Sequence, residues 1–594
     1  MRETSEPMSV QRITLLVLAL ALAGCRRTGQ ARGTDAAAEG GAASSAIADT
    51  PLPPEGPKLG AVAVQVNVYT KTDTTSKRYG YLRIGAIVPR DPDPVTTEGC
   101  PGGWYRIYPR GFVCAGEEAT PDVSHPIVRA ASVRPDLSKP LPYRYAFVRA
   151  VAPLYLRIPT AKEQLAAEFK LQEHLDWWKE SGEEASRVVP GANDVPIDDR
   201  GVPLPQPKGD AGPPARRLST EMSLGELLGG QGPSDPVPFW LDGGRKIPNL
   251  ADFKVPPYAT FANRVRRHTG LSLVGSFPTG PDSLERRFAV TVDMRLVPAT
   301  KIKPDTGSAF HGTELGEGWS LPVAFVRSEC KPDKQRPCAH AWRLTADAAH
   351  EEERTLRWRT LVRLSGKTRR VGPSLYREAK DGTWLKASDL GVMTEPAEWP
   401  AAAQAGQKWV EISIENQTML LWEGQKPVYA TLVSSGQDGL GDPKTTKSTV
   451  TGVFRIRSKH ITATMDSNER SAQGGGPAPS VDAPKAETGK DEIEAPIKAK
   501  PPPMSADGRQ LRRGEGTFEL RDVPYVQYFE SGYALHAAYW HDVFGKARSH
   551  GCVNLSPVDA HRLFLWTEPR IPVGWHGVFT GPDWAEGTAV IVHK

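Results

Sequence analysis

The chain has 594 residues, which is enough for roughly three to four domains. Its 56 glycines and 54 prolines, with 39% apolar residues, predict folded domains joined by stretches that have no core. The 74 basic and 69 acidic side chains leave a formal net charge of +5, so the charge balance gives no argument for nucleic-acid binding and agrees at most with work beside an anionic surface.

The amino terminus has the pattern of an export signal. Arg2 and Arg12 precede an apolar run that is too short to span a bilayer as a mature helix, and residues 1–24 therefore predict a signal peptide. The sequence Leu-Ala-Gly-Cys that ends at Cys25 matches a bacterial lipobox, in which the cysteine is lipidated. An ordinary signal peptide that ends near a cysteine is the alternative.

A lipid anchor at Cys25 would fix the location of the protein. We expect the chain on the periplasmic side of a bacterial membrane, with the outer membrane favoured over the inner one. Residues 25–58 are rich in alanine, glycine, serine and proline, and this composition predicts a disordered tether. No other stretch of the sequence is long and apolar enough to predict a second membrane segment.

Residues 59–120 predict a small β module. Strands are indicated by alternating apolar residues around 62–69 and 81–88 and by two shorter segments that follow. The segments Gly103-Trp104-Tyr105 and Gly111-Phe112-Val113 resemble those that close the barrel of bacterial SH3 domains, which implies a small β barrel and a capacity to bind cell-wall peptides. A barrel that only packs, with Trp104 in its core, remains the alternative.

Residues 121–400 predict an α+β region to which the sequence assigns no chemistry. A helix is predicted over residues 160–181, where a threonine start and a glycine stop frame a helical periodicity. Residues 188–216 are rich in proline and glycine and predict a disordered linker. The strands predicted here cover residues 146–152, 154–158, 271–277, 288–297, 355–365 and 374–390.

The six cysteines divide into three groups. Cys25 lies in the lipobox, and Cys552 lies in the reactive motif described below. The other four form two pairs that are close in sequence, and disulfides persist in exported proteins. We therefore predict the bonds Cys100–Cys114 and Cys330–Cys338, with free buried thiols as the alternative.

Residues 407–594 predict a β domain. It opens with a meander of three strands, and a low-complexity insertion rich in proline, alanine, lysine and glutamate interrupts it over residues 467–516. A short helix is predicted from Pro557, with Ser556 as its cap. The whole chain is thus expected to be mainly β and multidomain.

Cys552 lies in the segment Ser549-His550-Gly551-Cys552-Val553-Asn554, and His536 precedes this segment on a neighbouring stretch. A cysteine nucleophile needs a base, donors for an oxyanion and a backbone that lets a carbonyl approach. His536 is the candidate base, and Gly551 gives close approach and main-chain N–H groups. These residues predict acyl transfer through a thiol.

The pattern His-x12-Ser-His-Gly-Cys-hydrophobic-Asn resembles the signature of L,D-transpeptidases, the YkuD-type catalytic domain. The upstream turn around Ser448-Thr449-Val450 resembles that family as well, with Val450 in place of the usual proline, and Ala537 follows His536 where glycine is frequent. The resemblance covers residues 407–594. It implies a β sandwich or barrel with short helices, Cys552 as nucleophile and His536 as general base.

The same resemblance assigns supporting roles and a reaction. Ser549, His550, Gly551 and Asn554 are expected to shape the oxyanion or substrate loop. The implied activity joins peptidoglycan stem peptides through a cysteine acyl-enzyme, which gives 3-3 cross-links and needs no cofactor. Hydrolysis of the thioester (an L,D-carboxypeptidase), attachment of a protein to peptidoglycan, and a non-catalytic wall-binding lipoprotein are the alternatives.

The histidines were also tested against a zinc site. None has a metal-ligand spacing with cysteines or acidic residues, so we expect hydrogen-bonded histidines and no metal. The histidines concerned are His311, His340, His350, His536, His541, His550 and His561.

Overall fold

The structure is a computed structural model of the chain. It describes residues 55–204, 219–250, 255–256, 258–316, 319–329, 338–466, 519–582 and 584–594. Of the described residues, 38% are in strands and 13% in helices, so this part of the chain is mainly β, which confirms the predicted fold class. The predicted signal peptide, Cys25, all but the end of the tether, Cys330 and the insertion at 467–516 lie outside the described residues.

The amino-terminal module consists of the first seven strands. They are β1 (Lys58–Ala61), β2 (Gln65–Tyr69), β3 (Arg78–Arg83), β4 (Ile87–Pro89), β5 (Trp104–Arg106), β6 (Phe112–Cys114) and β7 (Ala119–Thr120). Trp104 is buried in this module, and a disulfide joins Cys100 to Cys114 with their Cα atoms 5.8 Å apart. Trp104 is therefore part of the packing and not an exposed platform.

The second module covers residues 126–305 and has a curved sheet with short helices. Its elements are α1 (Pro126–Ala130), β8 (Arg144–Val148), β9 (Ala152–Tyr155), α2 (Ala161–Ala167), α3 (Leu171–Trp177), α4 (Leu224–Leu227), β10 (Phe261–Val265), β11 (Gly270–Pro278), β12 (Arg287–Thr291), β13 (Leu296–Pro298) and β14 (Ile302–Asp305). The strands run in the order β10-β9-β13-β12-β11-β8-β14.

Two sequence predictions for the second module need correction. The single helix expected over residues 160–181 is broken into α2 and α3, because Lys170 between them adopts a left-handed φ of 50°. The linker expected over residues 188–216 is wrong for residues 188–204, where Ala192 is buried and the Asn193 side chain accepts from the backbone N–H of Leu141 at 2.8 Å. Main-chain and side-chain hydrogen bonds order these residues, although their sequence lacks the apolar pattern by which a folded segment is recognised.

A third module covers residues 323–393, preceded by the short strand β15 (Thr313–Glu314) and followed by α5 (Ala401–Gln404). Its strands are β16 (Val323–Val326), β17 (Ala339–Leu344), β18 (Ala349–Leu356), β19 (Leu361–Val371), β20 (Ser374–Ala379), β21 (Trp384–Lys386) and β22 (Leu390–Met393). They form one sheet in the order β18-β17-β21-β20-β19-β16-β22. Cys338 is disulfide-bonded, and its predicted partner Cys330 lies outside the described residues.

The carboxy-terminal domain (residues 407–594) is a sandwich of two sheets around an apolar core. Its elements are β23 (Lys408–Ser413), β24 (Thr418–Glu423), β25 (Lys426–Leu432), β26 (Gly452–Arg455), β27 (Ser458–Asp466), β28 (Glu519–Glu530), β29 (Tyr533–Ala537), β30 (Val553–Leu555), α6 (Pro557–Trp566), β31 (Gly577–Phe579) and β32 (Ala589–His593). One sheet has the order β25-β24-β23-β32-β26, and the other has the order β31-β27-β28-β29-β30. Ser556 caps α6 and Pro557 occupies its first turn, as the sequence predicted.

Short helices other than α1–α6 lie in the connections. A π turn spans Trp178–Gly182, and the 3-10 turns span Glu184–Ser186, Ala192–Asp194, Ser219–Glu221, Pro281–Ser283, Ala299–Lys301 and Ala387–Asp389. No helix within the described residues is long and apolar enough to cross a membrane.

The modules share sheets with the carboxy-terminal domain. Strand β3 pairs with β31, with Gly80 opposite Val578, and β11 meets β28 at Gly270 and Leu520. Strand β15 pairs with β25. The amino-terminal strands therefore form two sheets and not the closed barrel that was predicted, because one edge of β3 is used by the neighbouring domain. The described residues from Glu55 onward form one compact unit.

Candidate active site

His536 and Cys552 belong to two segments that a pair of parallel strands holds side by side. Strand β29 carries His536, and β30 begins one residue after Cys552. The register places His536 opposite Asn554. Because partners in a parallel pair face the same side, this register directs His536 and Asn554 toward one face of the sheet, and Cys552 lies two residues before Asn554, just ahead of β30.

The imidazole of His536 is buried and held in one orientation. Its Nδ1 lies 3.1 Å from the carbonyl oxygen of Ala537, and the ring stacks on Trp540 with centroids 5.8 Å apart. Since a carbonyl only accepts, Nδ1 carries the proton and Nε2 is the acceptor. Burial lowers the pKa of His536 to about 4, so the ring is neutral near pH 7 and able to take a proton.

The thiol of Cys552 is half-buried, with Sγ 3.7 Å from the carbonyl oxygen of Gly532. Tyr533 lies beside it: burial, and then the charge of Cys552, raise the pKa of this tyrosine. Gly551 has a φ of 139°, and a Cβ at this position would stand 3.0 Å from the Tyr533 ring. Glycine is thus required here both by the backbone conformation and by the space available.

Ser549 organises the turn that carries the nucleophile. Its Oγ donates to the carbonyl oxygen of Cys552 and accepts from the N–H of Gly551 at 3.1 Å. The N–H of Gly551 is therefore engaged by the Ser549 hydroxyl. A serine hydroxyl commonly captures the N–H two residues later in such turns. The side chain of His550 is exposed.

Thr449 ties the upstream turn to the nucleophile. Its Oγ1 donates to the carbonyl oxygen of Gly551 at 2.7 Å and accepts from the N–H of Gly436 at 2.9 Å. The main chain of Ser434 also exchanges two hydrogen bonds of 2.9 Å with Asn554. The turn that resembles the family motif therefore supports the reactive loop directly, a role that the sequence alone did not assign to Thr449.

His541 is a further site residue that sequence reasoning did not single out. The side-chain nitrogen of Asn554 lies 3.0 Å from His541 Nε2, and the main-chain nitrogen of Val543 lies 3.4 Å from Nδ1. Burial, and then the positive charge of Arg548, lower the pKa of His541 to about 3. The neutral ring fixes the Asn554 amide beside His536. A second histidine five residues after the first was visible in the sequence, but nothing there indicated its partner.

Asp559 anchors the helix that follows the nucleophile. The buried carboxylate accepts from Tyr429 Oη and Thr431 Oγ1, each at 2.6 Å, and from the N–H of Gly312 at 2.8 Å. It therefore links α6 to β25 and to the segment before β15. No group of three or more histidine, cysteine, aspartate or glutamate side chains within the described residues is arranged to hold a metal ion.

The family described as the YkuD L,D-transpeptidase catalytic domain matches residues 407–592. No curated protein matches the chain. Solved structures similar to parts of it include the Ldtfm-avibactam carbamoyl enzyme, which is 20% identical with a TM-score of 0.19, and for which the match covers 32% of this chain and 49% of the other. The chain thus spans about half the length of that protein.

Two further solved structures are similar to parts of the chain. The catalytic domain of an E. faecium L,D-transpeptidase is 21% identical with a TM-score of 0.18, covering 32% of this chain and 98% of that one. L,D-transpeptidase 3 from Mycobacterium tuberculosis with a faropenem-derived adduct is 16% identical with a TM-score of 0.19. The match covers 39% of this chain and 78% of that one. At such TM-scores the likeness adds no argument, and the family match carries the assignment. Residues 407–592 are therefore an L,D-transpeptidase catalytic domain of the YkuD family.

Proposed function

We propose that the protein is a cell-wall enzyme that joins peptidoglycan stem peptides by acyl transfer through Cys552, forming 3-3 cross-links. The observation that carries this proposal is the register of β29 and β30, which pairs His536 with Asn554, two residues after Cys552. The hydrogen bond from His536 Nδ1 to Ala537 leaves Nε2 as the proton acceptor.

The reaction has two halves. His536 Nε2 takes the thiol proton, and the thiolate of Cys552 attacks the carbonyl carbon of the third residue in a donor tetrapeptide. The C–N bond to the terminal D-alanine breaks, and the leaving amine takes the proton from the imidazolium. A side-chain amine of an acceptor stem then attacks the thioester, the C–S bond breaks, and the amine proton returns through His536 to the thiolate.

Incubation of the purified protein with disaccharide-tetrapeptide, followed by mass spectrometry, tests this proposal. A cross-linked dimer that has lost one D-alanine is the expected product, and Cys552→Ala should form none. Tripeptide without dimer, at a high concentration of acceptor, would favour hydrolysis. The absence of both products from folded wild-type protein would refute catalysis.

We also propose that the enzyme is anchored to a membrane by lipid on Cys25, on the periplasmic side. The support is the match of residues 22–25 to a lipobox after an apolar run. Cys25→Ser should release the protein into the soluble fraction of cells. Partition of this variant into detergent extracts at the wild-type level would contradict the anchor.

A further inference from the structure

The third module touches the loop that joins the two reacting residues. The turn of residues 357–360, between β18 and β19, lies against this connecting loop, which spans residues 538–548 between His536 and Cys552. Arg359 Nη2 lies 2.7 Å from Asp542 Oδ1, and Ser308 Oγ donates to the same oxygen at 2.5 Å. The turn is therefore fixed to the loop by a charge-assisted contact.

A groove of about 530 Å³ opens at this contact. It is lined by Phe310 and by Arg357, Trp358, Arg359 and Thr360 of the turn. The guanidinium of Arg359 packs 3.7 Å from the Trp358 ring centroid and 4.4 Å from that of Phe310. Arg359 thus forms part of the wall, with its charge balanced by Asp542.

Arg357 differs from Arg359 in having no fixed side-chain partner among the described residues. Its side chain is exposed, and it makes no hydrogen bond or ion pair among the residues that the structure describes. The indole Nε1 of Trp358 is buried and also lacks a hydrogen-bond partner in the described part of the chain. Within the described part of the chain, the groove therefore offers one unbalanced cation, Arg357, beside aromatic walls.

The groove is close to the catalytic pair. Phe310 stacks on Phe544 with centroids 5.9 Å apart, and Phe544 lies 4.9 Å from the ring of His541. His541 in turn binds Asn554, the register partner of His536. Three side-chain contacts and one register pair thus link the groove wall to His536.

We propose that this groove is a substrate subsite in which Arg357 pairs with a carboxylate of the stem peptide. The inference rests on the proposed function, because the stem peptide is the ligand. A guanidinium beside aromatic walls binds a planar carboxylate well, since the walls exclude water from the pair. Asp542 neutralises Arg359, so Arg357 carries the remaining positive charge of the groove. A single positive charge suits one carboxylate better than a polyanion.

Binding can be measured without turnover in the Cys552→Ala protein. We expect Arg357→Ala in this background to weaken binding of disaccharide-tetrapeptide about tenfold, the loss typical of a charged hydrogen-bonded pair. The same substitution should change binding of the carboxylate-amidated peptide less than about twofold, because the partner group is then absent. Equal effects on both peptides would overturn the proposal.

Arg370→Ala is the matched control. Arg370 is exposed near the far end of β19, and its substitution removes the same charge from the same module. It should leave binding unchanged, and an equal loss in this variant would show a general charge effect and overturn the subsite. In the active enzyme, Arg357→Ala should raise KM about tenfold and change kcat less than twofold. If binding depends on Arg357 but the wild-type protein forms no cross-links, the subsite is supported and the proposed function is refuted. If Arg357→Ala forms cross-links with a wild-type KM, the proposed function is supported and the subsite is refuted.

Discussion

Arg83 of the amino-terminal module forms a buried ion pair with Asp522 of the carboxy-terminal domain. Ser272 of the second module donates to the same carboxylate, and so does Thr462 at 2.9 Å. Burial alone would raise the pKa of Asp522, but the charge and hydrogen bonds of Arg83, together with Ser272, lower it to about 2. Three parts of the chain therefore meet at one charged carboxylate.

Breaking this pair should destabilise the whole protein. Asp522→Asn leaves the buried guanidinium without its counter-charge, and we expect a loss of about 3–5 kcal/mol in the free energy of unfolding. The double variant Arg83→Met/Asp522→Asn should recover part of this loss, because no unpaired charge remains. Urea denaturation of the single and double variants measures both; a wild-type midpoint for Asp522→Asn would show that the pair contributes little.

Removing the thiol or the imidazole should have different effects on acylation. Cys552→Ala should abolish the covalent adduct with a carbapenem, and Cys552→Ser should be nearly as inactive, since a neutral imidazole is a poor base for a hydroxyl. His536→Ala should slow acylation severely and still allow some adduct, because the attacking atom remains. Intact-mass spectrometry over time measures the adduct. Turnover of stem peptide by either Cys552 variant near the wild-type rate would contradict the assignment.

The activity should persist into moderately acidic solution. The base is the neutral imidazole, and because burial lowers the pKa of His536 to about 4, protonation removes the base only near that pH. We expect kcat/KM for carbapenem acylation to hold from about pH 7 to about pH 5 and to fall below that. Circular dichroism at each pH controls for unfolding. An acid limb centred at 6.5, the ordinary pKa of histidine, would show that the ring is solvated during catalysis.

The insertion in the carboxy-terminal domain should be dispensable for folding. Asp466 and Glu519 are paired across the ladder of β27 and β28, so the ends of the insertion are neighbours. Replacing residues 467–516 by a short Gly/Ser turn should not lower the free energy of unfolding, because a shorter loop costs less entropy to close, by roughly 2 kcal/mol at most. Denaturation midpoints test this. A folded variant without cross-linking activity would assign the insertion a role in substrate handling.

Both predicted disulfides should be detectable in the unreduced protein. Peptide mapping without reduction should link Cys100 to Cys114 and Cys330 to Cys338. Loss of the Cys100–Cys114 bond should cost about 3 kcal/mol, given the sequence separation of 14 residues. The Cys100→Ala/Cys114→Ala protein and its denaturation midpoint provide the measurement. Alkylation of these four thiols in unreduced protein would exclude both bonds.

The sequence was most informative where function is encoded locally. The motif around Cys552, the helix cap at Ser556 and the alternation in β2 each lie within a few adjacent residues, so their chemistry and geometry can be inferred directly.

Long-range partners could not be inferred in the same way. His541 depends on Asn554, and Asp559 depends on Tyr429 and on Gly312, which is 247 residues away in sequence. No local pattern distinguishes such side chains from ordinary polar residues. The pairing of β3 with β31 could not be predicted either, since strand propensity does not indicate which strand will be the neighbour.

Pairing between β3 and β31 affects how the enzyme can be divided. In a fragment that starts at residue 407, β31 would keep β27 but lose β3, which would open the edge at Gly577 and Val578. Such an open edge recruits strands from other molecules. The fragment would also bury Asp522 without Arg83. Expressed alone, the carboxy-terminal domain is thus prone to self-association. An exchange of amino-terminal modules between related enzymes would succeed only if the β31 edge that pairs with the module were exchanged as well.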